Sequence, residues 1–237
     1  MTVSVVMPVF NGAACVADAV ASVLRQRDVA FELLIHDDGS TDETPGVLEA
    51  LAAADSRIDL SRGPNRGPAA SRNRLLERAR ADYVAFLDHD DLWPDGRLGR
   101  HVARLDRAPQ APAVMGETVI FDTLDSEGIP ARTARSRRVL AGLLQAGLFR
   151  RSAITATGLL NPEFTVADDF DFLLRMIETC GSFQIDDEVA VWYRLHPGQW
   201  TADLELTAQA TARALARSLR RRRNAGGAGG IVWRDSR

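Results

Sequence analysis

The chain contains no lysine: all 29 of its basic residues are arginine. A Walker A motif needs a lysine, so P-loop nucleotide hydrolysis is a poor fit. Together with the alanine-rich runs, this one-sided basicity reads as a compositional bias of the source rather than a designed surface. GxGxxG is also missing. After the first strand-like segment FNGAAC holds a single glycine, which argues against dinucleotide binding. Cysteine is scarce. Cys15 and Cys180 are far apart, each in an apolar helical pattern, and read as buried free thiols in a reducing compartment rather than a disulfide. No window approaches about 18 consecutive apolar residues, so no transmembrane helix is expected. The opening MTVSVVMPVF has no basic segment ahead of its apolar run, unlike a signal peptide. Net charge is −3, which advertises no affinity for nucleic acid. Hydrophobic residues at 46% and charged residues at 26% are proportions that build a soluble globular core.

What is present alternates. Val3–Phe10 is rich in β-branched residues and short, as a buried strand is, and Asn11-Gly12 breaks it. Val16, Ala19, Val20, Val23 and Leu24 then recur at helical spacing. Phe31–His36 predicts a second strand. A helix follows, with Ser40 and Glu43 spaced for a capping box, or Thr44 capping ahead of Pro45. Arg57–Leu60 is a third short strand, Pro68–Arg80 a helix and Tyr83–Leu87 a fourth strand. This order predicts an α/β protein with an open, mostly parallel sheet and helices on both faces.

The second half is less regular. Leu98, Val102 and Leu105 mark a helix, and Val114–Phe121 a strand. Residues 122–138 are polar, bear arginines and show no periodic apolar face; about 17 such residues suit a functional or mobile loop. Phe170–Glu178 is amphipathic, SFQI and VAVWYRL read as two strands, and 203–223 as a late helix. NAGGAGG opens a tail, 224–237, expected to be flexible. With no repeat and no clean linker, 1–223 reads as one domain.

In open α/β sheets ligands bind at the carboxyl ends of strands. Asn11 and Gly12 follow the first strand, Asp37 and Asp38 the second, and Asp88, His89, Asp90 and Asp91 the fourth. All fall at one sheet edge. Carboxylates this crowded need a cation or hydrogen bonds, and a hard divalent metal ion accounts for them better than a turn does. GPNRGPAASRN places Arg66 and Arg72 at the mouth of the third helix, where the first amides favour an anion and Arg72 offers a planar set of donors to phosphate.

These blocks resemble the family 2 glycosyltransferases of the GT-A fold, which are inverting and use nucleotide sugars. VSVVMPVFNG, FELLIHDDGSTDET, NRGPAASRN, YVAFLDHDDLWPDGRL, GLFRR, ADDFDFLLR and VWYRLHPGQ follow the family's order, from Val3 to about Gln199. His36 stands where a hydrophobic residue is more usual. The resemblance implies a nucleotide-binding half at about 1–95 and an acceptor-binding half at about 96–200. Pro8, Val9 and Phe10 would line the base pocket beside Asn11, and Asp38 would contact the base. Asp88 would face ribose and donor sugar beside His89, and Asp90, with Asp88, would hold Mn2+ or Mg2+. Arg66 and Arg72 would serve the donor, and Arg194 and His196 would close over it. Asp169 would be the general base, with Asp168 beside it as the alternative; Asp168 and Trp93 would lie on the acceptor side.

The function so implied is metal-dependent, inverting transfer of one sugar from a nucleotide diphosphate sugar, UDP-linked by default, to a hydroxyl acceptor. That acceptor is a small molecule or a lipid-linked glycan. Arg132, Arg135, Arg137 and Arg138 leave contact with an anionic acceptor or membrane surface open, and homodimerisation is equally open. A cytoplasmic protein, at most peripheral at the inner membrane face, is expected. Two rivals stand beside this reading. A nucleotidyltransferase would signal itself with a glycine-rich loop and a basic residue after the first strand, and FNGAACVADA has neither. An inactive binding module would not need the full set of acidic groups.

Overall fold

The computed structural model describes residues 2–124, 130, 137–139, 143–195 and 204–224. Four strands, β1 (Thr2–Val9), β2 (Ala30–Asp37), β3 (Ile58–Arg62) and β4 (Tyr83–Phe86), pair in parallel in the order β3-β2-β1-β4. Val3, Val5, Val6, Met7, Leu33, Leu34 and Ile35 are fully or almost fully buried. The near-continuous apolar runs reflect a sheet covered on both faces. Val9 pairs with Asp37, and the Leu87 amide donates to the Val6 carbonyl. The three chemistry-bearing loops therefore leave the sheet together.

The helices α1 (Val16–Leu24), α2 (Thr44–Ala54) and α3 (Pro68–Leu76) connect these strands, and α4 (Arg97–Arg107) leads into the second half. There β5 (Ala113–Phe121) pairs antiparallel with β6 (Arg137–Val139) and β7 (Gly147–Arg150), and parallel with β8 (Gln184–Arg194). Antiparallel pairing of β7 with β4 joins the halves into one mixed sheet. A 3-10 turn, Leu144–Ala146, precedes β7, and α5 (Arg151–Thr157), α6 (Asp168–Cys180) and α7 (Leu204–Asn224) complete the chain. An edge-to-face relay runs Phe86–Phe149–Phe172, with ring centroids 5.6 and 6.5 Å apart. It fixes α6 against β4 and β7, each contact adding about 0.5–1.5 kcal/mol beyond the area buried.

Several boundaries differ from expectation. The two late strands are one, β8, whose register against β5 shifts around Glu117. Asp186, which interrupts its apolar pattern, is fully buried against Arg100 (2.6 Å), Arg104 (3.1 Å) and His101 (3.3 Å) of α4. Neither Ser40 nor Thr44 caps α2, because both hydroxyls are used across the sheet edge. The helix follows Glu43 with Pro45 in its first turn. The third helix ends at Leu76, where the Arg78 and Ala79 amides turn back onto the Leu75 carbonyl. Cys15 and Cys180 are free but half-buried rather than buried. Part of the 122–138 stretch is structured: Leu124 bridges to Pro130, and β6 spans Arg137–Val139. The 225–237 part of the tail lies outside the described residues. No described helix is long and apolar enough to cross a membrane.

Candidate active site

The turn after β1 is pinned to the loop after β2 by a network of hydrogen bonds. The Asn11 amide donates to Ser40 Oγ (2.9 Å), the Gly12 amide to Thr44 Oγ1 (2.8 Å) and the Ala13 amide to Asp42 Oδ2 (3.4 Å), and Asn11 Oδ1 accepts from the Thr41 amide (2.9 Å). This network holds Asn11 in the left-handed region, φ 49, which asparagine tolerates better than most residues. Gly12 is required for another reason. A Cβ there would lie 2.3 Å from Cδ2 of His89, so the His89 ring packs directly on the turn.

Asp38, buried at the end of β2, accepts the Arg66 amide on Oδ1 (2.9 Å) and the Gly67 amide on Oδ2 (2.8 Å). It thereby shapes the entry to α3, and Gly67 (φ 85) supplies the positive φ that this entry demands. Arg66 takes part through its backbone; its exposed side chain is not on the cleft wall.

Arg72 departs from its expected role. Buried on α3, its guanidinium bridges Asp88 (Nη2 to Oδ1, 2.6 Å) and Asp168 (Nη1 to Oδ2, 2.8 Å) rather than standing free for phosphate. Charge is costly to bury, and two carboxylates on one guanidinium offset that cost. The second Asp88 oxygen accepts from Gln145 Nε2. Asp91 is fully buried; burial, then the charges of Asp90 and Asp88, push its carboxyl well up, although the Arg194 amide donates to it at 3.0 Å. Arg194 also donates from Nε to the Asp90 carbonyl (3.0 Å) and pairs with Asp18 (3.1 Å), which straps the end of β8 onto the acidic loop.

Across the cleft, α6 begins at Asp168, after Ala167 in the left-handed region (φ 60). Asp169 is thus the second helical residue and not the cap. Its Oδ1 accepts the Phe170 amide at 2.7 Å, and it makes no bond to Arg72. Burial, with the neighbouring Asp168 charge, raises its carboxyl to about 7, against the opposing pull of Arg72.

One cleft of about 400 Å³ unites these groups: Pro8, Val9, Phe10, Asn11, Asp38, Arg72, Asp88, His89, Asp90, Asp168 and Asp169 all line it. Trp93 does not. It is fully buried, stacked 4.1 Å from the Arg97 guanidinium, with Nε1 donating to the Gln145 carbonyl (3.2 Å), so its acceptor-side placement is corrected to the core. His196 lies outside the described residues. Leu143, Gln145, Val166 and Tyr193 also face the cleft and were missed. The one available signal was Gln145, a polar residue interrupting the apolar run AGLLQAGLF.

Among the described residues no group of three or more His, Cys, Asp or Glu side chains forms a ready metal cage. The donor set nevertheless fits a hard cation. Oxygen donors of Asp88 and Asp90 crowd one strand end on the cleft wall, which is the chemistry a hard cation takes.

The fold has close counterparts. A mannosyltransferase from Pyrobaculum calidifontis, solved with GDP-Man and Mn2+, superposes with a TM-score of 0.71 at 20% identity, over 92% of this chain and 64% of that one. TarS 1-349 of S. aureus, solved with UDP-GlcNAc, gives 0.67 at 18% identity, over 94% and 72%. The architecture is therefore that of the GT-A glycosyltransferases. Residues 4–152 match the model of glycosyl transferase family 2, and the chain belongs to that family. An Escherichia coli relative, the UDP-Glc:alpha-D-GlcNAc-diphosphoundecaprenol beta-1,3-glucosyltransferase WfgD, is 36% identical over 104 residues, 44% of this chain and 40% of its own length. The matched region spans at most 40% of the first curated relatives.

Proposed function

We propose that the protein transfers a single sugar from a nucleotide diphosphate sugar to a hydroxyl acceptor, with inversion at the anomeric carbon and Asp169 as general base. The observation that carries this reading is the single cleft lined both by the strand-end groups Asp38, Asp88 and Asp90 and by Asp169, a carboxyl raised to about 7. A base works best when its pKa lies near the operating pH. Asp168 cannot compete while it is bonded to Arg72. Asp169 takes the acceptor hydroxyl proton as that oxygen bonds to the anomeric carbon. The carbon–oxygen bond to the diphosphate breaks on the opposite face, and the nucleoside diphosphate leaves with the electron pair.

Asp90, with Asp88 beside it, would hold Mn2+ or Mg2+. A bound divalent ion supplies charge compensation for the diphosphate. UDP- and GDP-sugars are the donors to test first, since similar proteins bind or are named for them. A lipid-linked diphosphate acceptor, as in the name of the Escherichia coli relative, fits a protein that docks on a membrane surface.

Turnover and UDP affinity measured on one variant, Asp169→Asn, test the assignment. Transfer should fall by roughly 10²–10⁴-fold while nucleotide affinity holds. Near-normal turnover would remove Asp169 from the mechanism. Release of pyrophosphate instead of nucleoside diphosphate would favour a nucleotidyltransferase. Calorimetry with UDP should show binding with Mn2+ that excess chelator abolishes; equal affinities would contradict metal dependence.

A further inference from the structure

We infer that Gln145 is a positioning residue of the donor site: with Arg72 it sets the Asp88 carboxylate so that its remaining lone pairs face the donor sugar. The inference rests on the nucleotide-sugar reading above. Gln145 is 5% exposed, sits in the 3-10 turn Leu144–Ala146 and lines the cleft. Its Nε2 donates to Asp88 Oδ2. An ionised carboxylate only accepts, so this contact orients the amide. Oε1 is left buried in the cleft wall with no partner among the described residues. Arg72 Nη2 donates to the other Asp88 oxygen at 2.6 Å. Each oxygen is thus held by its own protein donor, and the carboxylate cannot rotate without breaking a charge-assisted bond.

The anchorage behind Gln145 is heavier than a three-residue turn requires. Its carbonyl accepts from Trp93 Nε1 (3.2 Å) and from Arg97 Nη2 (3.0 Å), and Arg97 also donates to the Gly147 carbonyl (2.6 Å). Trp93 and Arg97 are both fully buried. The backbone of Gln145 is therefore held independently of its side chain, whose one hydrogen bond among the described residues goes to Asp88. At 24% side-chain exposure Asp88 has water within reach and does not need Gln145 merely for solvation. What the amide adds is direction. With both oxygens so held, Asp90 is left as the principal carboxylate for the cation.

The test uses the full chain with Mn2+ and four probes: UDP, UDP-glucose, GDP and GDP-mannose. Gln145→Met keeps the length and removes the donor; Gln145→Glu keeps the shape and places a carboxylate against Asp88. The expected result is that UDP or GDP affinity stays within about twofold of wild type. The extra affinity of the cognate nucleotide sugar should fall roughly tenfold, as for a lost hydrogen bond to a charged group. If the wild type binds none of the four, the donor reading itself fails. If the wild type prefers a nucleotide sugar and both variants keep that preference, the role of Gln145 is overturned. Equal loss of nucleoside diphosphate affinity, or failure of both variants to fold, assigns Gln145 to the scaffold and overturns it as well.

Discussion

Asp169 and Asp168 are consecutive residues of one type at one helix start, yet the fold gives them different chemistry. The guanidinium of Arg72 claims Asp168, while burial and the Asp168 charge keep Asp169 protonated up to about 7. Activity should therefore rise about tenfold per pH unit below 7 and level off above it, read as kcat/KM against pH. Stability runs the other way. A carboxyl raised in the fold from an ordinary 3.8 stabilises below that value, and the contribution is lost as pH rises through 7. Asp169→Asn cannot ionise. Its melting temperature should exceed the wild type's most at pH 8, by roughly 5 °C or more, by less at pH 5, and match it only below 3.8. An equal difference at both pH values would contradict the raised carboxyl. Adjacent aspartates are legible in the sequence, but the arginine that separates their roles is 96 positions from Asp168.

At the scale of elements, α4 and β8 are joined by a buried polar cluster. Burial keeps the His101 imidazole neutral down to about 4, although Asp186 pulls the other way. Asp186 is held well below the usual carboxylate range: burial opposes its ionisation, but contacts with His101 and Arg100 outweigh that. Both groups have depressed values, so the stability they contribute is present at neutral pH and lost on acidification, that of His101 between 6.5 and 4. His101→Gln should flatten that acid limb. The difference should be about 2 kcal/mol near pH 4.5, roughly 4–8 °C in melting temperature. Parallel melting curves would place the acid sensitivity elsewhere. Elements with a strong period were legible: β1, β2, β4, α1, α4 and the late helix lie close to their expected spans. Strand β7 and helix α5 were not. GLFR is too short to show a period, and its strand character comes from pairing with β4 and β5, which are remote in sequence.

For the whole molecule, α7 offers a surface the sheet does not. Its inner face carries Ala214 and Ser218 against α6, while Leu204, Leu215 and Leu219 are exposed, Leu219 by 60%. Arg220 and Arg223 follow on the outer side. Exposed leucines beside arginines suit the headgroup region of an anionic bilayer. Phe164 packs under α7 and is followed by Thr165 and Val166 of the cleft wall, so the chain passes from under α7 to the cleft within two residues. The protein should cosediment with vesicles of phosphatidylglycerol and phosphatidylcholine but not of phosphatidylcholine alone. Leu215→Glu with Leu219→Glu should weaken that binding roughly tenfold. Indifference to either change would leave α7 out of membrane contact. The side chains of Arg132, Arg135, Arg137 and Arg138, which the sequence also offers for this role, lie outside the described residues.

The sequence by itself determined the parallel half: alternating apolar runs and helical periods, with acidic or Asn-Gly turns after the first, second and fourth strands, leave one sheet edge for chemistry. Local patterns suffice there because sheet, loops and motifs follow one another along the chain. Only the tertiary structure decided how the charges divide. Arg72 pairs with Asp88 and Asp168, Trp93 lies in the core, and Gln145 lines the cleft. Each outcome depends on which side chains meet across the junction of β4 with β7 and α6, and a buried charge takes whichever partner that packing brings within reach.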